Sequence, residues 1–97
     1  MSRFNLYTDR AHSEQFLLNI QSDFHDYLPT VIVVPVLPVE RVEKFVKGVY
    51  FPFTLNNQDY YIATNYLAAV DRSQLGKKIA DLSHYRDDIT TAIDFLM

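Results

Sequence analysis

Polar and apolar positions begin to alternate almost at once. Phe4, Leu6 and Thr8 interleave with Arg3, Asn5 and Tyr7, which predicts a short half-buried strand. Phe16, Leu18 and Ile20 interleave with Leu17, Asn19 and Gln21, a second strand, and the polar run Asp9 to Glu14 between them reads as a hairpin loop. Ser22-Asp23 and Tyr27-Leu28-Pro29 punctuate the next connection. Thr30-Val31-Ile32-Val33-Val34 is β-branched without a polar break, so both faces of that strand are expected to be covered. Pro35 and Pro38 are expected to close it, because proline cannot donate to a ladder.

The second half carries two clear periods. Val39, Val42 and Val46 recur at three- and four-residue spacing among charged residues, predicting a short helical turn that ends at Gly48. Phe53 and Leu55 face Tyr60 and Ile62 across Asn56-Asn57-Gln58-Asp59, a second hairpin. Leu67 to Val70 reads as another short strand, and Gly76 as a loop residue where positive φ would be cheap. The final segment is the clearest helix. Ser83 is its expected N-cap, and Asp87 and Asp88 lie where the helix dipole favours anions. Tyr85, Ile89, Ala92, Ile93 and Leu96 form one apolar stripe, while Phe95 and Met97 fall to either side of it by about 100°. One face of the helix thus meets its own sheet, and two large apolar groups are left over. Strands first and a helix last predict a mainly β, β-rich α+β domain, without the alternation of a parallel sheet.

Composition narrows the function class. The 97 residues suffice for one domain, spanning 1–97, and seven Phe with seven Tyr supply an ample core that a second copy could share. No cysteine is present, which removes disulfides and thiolate metal sites and fits a reducing cytosol, so a cytoplasmic protein is expected. No apolar stretch reaches the roughly 20 residues that span a bilayer, and the polar MSRFNLYTDR start does not read as a signal peptide. A net charge of −3 opposes a direct grip on nucleic acid, whose affinity comes from clustered cations releasing counterions.

Candidate chemistry is sparse. His12, His25 and His84 form no ligand pair at metal spacing, and two glycines cannot build a phosphate loop, so no metal or cofactor is expected. Ser22-Asp23 and Ser83-His84 sit in no nucleophile elbow. Asp87 and Asp88, adjacent on a helix, point apart and read as a solvated face. The residues describe a binding module, and no enzyme activity is expected.

Several segments carry a resemblance: FNLYT, IQSDFHD, VVPVLP and LGKKIADLSHYRDDITTAID, in order along essentially the whole chain. They resemble the CcdB toxins of bacterial toxin–antitoxin pairs. The resemblance implies a homodimeric SH3-like small barrel of the CcdB, Kid and MazF type, with an antiparallel sheet and one C-terminal helix. It implies a toxin that binds the DNA gyrase A subunit and traps the gyrase–DNA cleavage complex. It further implies neutralisation by a CcdA-like antitoxin, plasmid maintenance, and autoregulation in which DNA is reached through the antitoxin. Carried over by position, the gyrase-binding residues are Ser22, Phe24, His25, Asp94, Phe95 and Met97, and the dimer interface includes Ile93, Leu96 and Met97. Two departures accompany it: Thr30 stands where arginines precede the buried strand in the family, and Asp71 replaces a proline. Family members also continue past the helix into a Trp-Gly-Ile or Gly-Ile tip, whereas this sequence ends at Met97, which raises the alternative of a non-poisoning homologue that binds antitoxin only. A MazF-like RNase is the third reading.

Overall fold

The computed structural model describes residues 3–21 and 27–96, Leu96 by its backbone alone. The expected calls on Ser22, Phe24, His25 and Met97 lie outside the described residues. Seven strands build one curled antiparallel sheet: β1 (Asn5–Asp9), β2 (Phe16–Asn19), β3 (Thr30–Pro38), β4 (Tyr50–Leu55), β5 (Gln58–Ala63), β6 (Ala68–Asp71) and β7 (Leu75–Asp81). Their order is β4-β5-β3-β2-β1-β7, with β6 paired to β3 beside β5. Among the described residues there is one α-helix, α1 (Arg86–Leu96), after the last strand. The β-rich α+β expectation holds.

Strand alternation divides the sheet between two cores. Leu6, Leu18, Val34 and Val36 turn to one face, where Ile62, Leu82 and Ile89 of α1 complete a cluster. Tyr7, Leu17, Val31 and Val33 turn to the other, which Leu75 and Val70 close as the sheet curls. β1 is therefore covered on both sides, with Asn5, Leu6, Tyr7 and Asp9 all buried, rather than half-buried as its pattern predicted.

Pro35 does not end β3. On one edge β3 pairs with β6 through residues Thr30 to Val33 and with β5 through residues Val36 to Pro38. Pro35 falls at the junction between these two partners, so its missing N–H interrupts no ladder on that side. The second hairpin is tighter than expected: Asn56 (φ 52°) and Asn57 (φ 65°) form a two-residue turn of the twist that suits strand pairing, and Leu55 pairs with Gln58. The turn predicted from Val39 to Val46 shrinks to a 3-10 turn at Val39–Arg41. Gly48 does take positive φ, at 86°. The strand expected at Leu67 starts one residue later.

Two further expectations fail for tertiary reasons. Gly76 is not in a loop but in β7, where it lies against Thr8 of β1. Ser83 does not cap the last helix; its N–H donates to Asp81 Oδ1 at 2.8 Å, and a 3-10 turn (Ser83–Tyr85) leads into α1. Asp81 thus closes a local turn with Ser83, two residues on, ahead of the helix. The hydrogen bonds from Ser83 hold its carboxyl below the usual carboxylate value.

Asp9 fastens the first hairpin to the end of the sheet. Only 4% exposed, it accepts from Ala11 N–H at 2.8 Å, Gln15 Nε2 at 2.8 Å and Gln74 Nε2 at 3.1 Å. Burial pushes its carboxyl up, but the bonds from Gln15, Ala11 and Gln74 and the field of His12 outweigh this and leave it below the usual value. A lowered folded-state pKa contributes stability that is complete above the unfolded value of about 3.9 and lost as pH falls through the folded one. Thermal unfolding from pH 6 down to pH 2 should therefore show the wild type losing its advantage over Asp9→Asn below about pH 4. A pH-independent gap between the two would contradict this assignment.

Candidate functional site

The apolar groups that remain at the surface gather around the end of α1. Ile89 is fully buried and Ala92 nearly so, while Tyr85 and Ile93 pack partly against the same core. The stripe predicted from Tyr85 onward is thus the docking face. Phe95 lies off it and is 68% exposed. Its ring is not loose: a Cβ placed on Gly48 would stand 3.5 Å from Phe95 Cε1, so the ring is seated on that glycine. The positive φ at residue 48 is what favours glycine there, since a Cβ would meet the Phe95 ring only at ordinary contact distance.

Gly48 belongs to an irregular segment that forms the opposite wall. Phe45, 46% exposed, packs its ring 5.1 Å from Tyr61 and edge-on to Tyr50 at 6.5 Å. Such offset and edge arrangements let the negative ring face meet the positive ring edge. Burial pushes the Tyr50 phenol up; a hydrogen bond with Asn65 opposes this and one with Tyr66 adds to it, so the hydroxyl stays protonated at neutral pH. Between this wall and α1 lies a cavity of about 410 Å³, bordered by Phe45, Gly48, Phe51, Ala92 and Phe95, with Lys47 and Asp88 at its lip. Its lining is apolar with a charged rim, the anatomy of a protein-binding patch.

The two walls are locked together from beneath. Thr64 is fully buried, and its Oγ1 donates to Val49 O at 2.6 Å. It opens the 3-10 turn Thr64–Tyr66, against which α1 packs. Beyond that turn Tyr66 (56%) and Leu67 (41%) stand exposed, extending the apolar surface toward β6.

Of the residues carried over by resemblance, Phe95 and Asp94 are exposed at the end of α1, and Ile93 is half-buried against the core. Leu96 is the last residue of the helix. The pattern reading missed Phe45, Gly48, Tyr66 and Leu67 as parts of one surface. Their signal was weak: Val46 was drawn into the Val39–Val42–Val46 stripe, which leaves Phe45 between lysines with no period to assign it. The His84 ring lies tilted against Tyr85, with centroids 4.2 Å apart. Among the described residues no three His, Cys, Asp or Glu side chains gather to hold a metal ion.

Comparisons with known proteins agree with this architecture. A family model described as CcdB protein matches residues 3–97. Among solved structures, an endoribonuclease in complex with its cognate antitoxin from Mycobacterial species superposes with a TM-score of 0.77 at 12% identity, covering 98% of this chain and 92% of that one. The Mycobacterium tuberculosis toxin MazF-mt6 superposes with a TM-score of 0.76 at 15% identity, covering 94% and 93%. At these identities the two structures show a shared fold.

Proposed function

The chain belongs to the CcdB family, and on that premise we propose that it is the toxin of a type II toxin–antitoxin module, binding the DNA gyrase A subunit and trapping the gyrase–DNA cleavage complex. The family match from residue 3 to residue 97 is the observation that carries this reading. The exposed Phe95 on its Gly48 seat supports it, because poisoning needs a rigid apolar anchor and no bond-making group. The toxin acts by differential binding: it holds one state of its target and shifts the population toward that state. It works in the cytoplasm as a homodimer, and a CcdA-like antitoxin neutralises it and carries the pair to operator DNA.

The test is made with gyrase and with cells. Induction in bacteria without antitoxin should arrest growth with gyrase-dependent DNA cleavage. Phe95→Ala should weaken binding to the gyrase A subunit by about 30-fold or more, the loss expected of a central anchor, with little change in thermal stability. Unchanged affinity would remove Phe95 from the contact, and normal growth at verified expression would remove the gyrase reading. The fold shared with endoribonucleases supports a second reading, cleavage of RNA. Fragments from mixed RNA above background would favour it.

A further inference from the structure

The cavity between α1 and the Phe45–Gly48 wall stands open because the residues at its middle are small. On α1, Asp88, Thr91, Ala92 and Phe95 share one face at i, i+3, i+4 and i+7 spacing, and Ala92 puts only a methyl group at the centre of that face. On the opposite wall Gly48 adds no side chain at all. The rings that border the space are each held in place. Phe45 packs on Tyr61 with centroids 5.1 Å apart, Phe51 meets Tyr85 edge-on at 5.5 Å, and Phe95 is seated on Gly48. A cavity walled by fixed rings is organised before anything enters it, which lowers the ordering cost of binding.

Its mouth carries one charge of each sign. Asp88 stands on the helix wall and Lys47 on the opposite one, both exposed. Neither belongs to the ion pairs formed nearby on the chain, Arg41 with Glu14 and Arg86 with Asp87. A cationic ligand would be drawn to Asp88 and repelled by Lys47, and an anionic one the reverse. A group that carries both charges side by side satisfies both walls at once. Below the mouth the border is aromatic, with Phe45, Tyr50, Phe51 and Phe95, and such rings favour another flat ring in offset or edge contact. The volume of about 410 Å³ lies at the lower end of the roughly 300–1,000 Å³ of small-molecule sites, room for one ring system.

We infer that this cavity is a binding site for a free aromatic amino acid, or a zwitterion of the same chemistry. The ring enters among Phe45, Phe51 and Phe95, the ammonium meets Asp88 and the carboxylate meets Lys47. This site does not depend on the gyrase reading, because it asks nothing of any protein partner. Exposed charge pairs contribute little each, so the rings set the affinity and the two charges set the selectivity. For a ligand of this size at ordinary efficiency per atom, the expected Kd is about 0.1–1 mM.

The chain contains no tryptophan, so indole emission reports the ligand alone. Titrating the full chain into L-tryptophan should give saturable binding in the range above. Tryptamine, which lacks the carboxylate, and indole-3-propionate, which lacks the ammonium, should each bind about 2- to 5-fold more weakly. N-acetyltryptophanamide, with neither charge, should bind weakest. Lys47→Ala should erase the preference for tryptophan over tryptamine, and Asp88→Ala that over indole-3-propionate. Thr91→Phe, at an exposed position on the helix wall, should close the cavity to all four ligands with unchanged circular dichroism. No saturation up to about 10 mM tryptophan overturns the inference. Binding that Thr91→Phe leaves intact places the ligand elsewhere and overturns it too. Equal affinity for N-acetyltryptophanamide would show that the two charges read nothing, which gives the cavity to an aromatic side chain within a polypeptide and removes the amino-acid reading.

Discussion

Replacing Ile89 by alanine is expected to cost about 2–5 kcal/mol, the largest single loss available on the surface-bearing helix. Ile89 has no exposed area and sits in the main core with Leu6, Leu18, Val34, Val36 and Ile62. Its removal forfeits the transfer energy of the side chain and leaves a cavity that a tightly paired sheet cannot collapse to fill. The helix gives a second reason. With 11 residues, α1 is shorter than the roughly 12–15 at which an isolated helix becomes even marginal in water, so it exists because its apolar face is buried. That face rests on few anchors, with Ile89 and Ala92 the buried ones. For a domain of this size, each kcal/mol lowers the melting temperature by about 4–8 °C. Thermal unfolding should thus show a drop of at least roughly 10 °C, and amide exchange in α1 should accelerate more than in β3. Ile89→Val, losing one methylene, should cost only about 0.5–1.5 kcal/mol. A loss under about 1 kcal/mol for the alanine variant would mean that α1 is held elsewhere, and the Phe95 seat with it.

The same comparison of local pattern with tertiary partner explains what the sequence disclosed. β1, β2, the β4–β5 hairpin and α1 were legible because each has an apolar face of regular period, and the strands have turns to bound them. The loose apolar residue at the end of α1 was legible for the same reason: once the stripe is drawn, Phe95 has no place in it. Pro35 misled because the rule against proline in central strands assumes one continuous neighbour on each side, and β3 has two in succession on one edge. Phe45 and Gly48 could not be joined to Phe95 from sequence, since the helical period read in their segment does not hold past Arg41 and the Gly48–Phe95 contact spans nearly half the chain. β7 was hidden more thoroughly. Lys77 and Lys78 break any alternation, and irregularities in its pairing with β1, between Leu6 and Tyr7 and again before Asp9, shift its apolar positions out of step. It is a strand because β1 requires a neighbour there.

Gly76 makes that dependence measurable. A Cβ at this position would overlap Thr8 Oγ1, closer than any relaxed pair of atoms comes, and would crowd Thr8 O at 3.3 Å. Its φ is not in the left-handed region, so the need for glycine comes from close approach of β7 to β1 and not from backbone conformation. Thr8 cannot simply swing away. Its χ1 is stiff, and its Oγ1 accepts the Lys77 N–H at 2.9 Å, a bond that helps hold the irregular stretch of this pair together. Gly76→Ala is therefore expected to cost about 1–3 kcal/mol, as overpacking a close contact does. Thr8→Ala alone should cost about 1 kcal/mol through the lost hydrogen bond. If the steric account is right the two losses do not add: the double variant makes room for the new methyl and should be more stable than Gly76→Ala alone. Denaturant unfolding of the four proteins completes the cycle. Strict additivity would show that the two residues do not meet, and that β7 lies further from β1 than this structure places it.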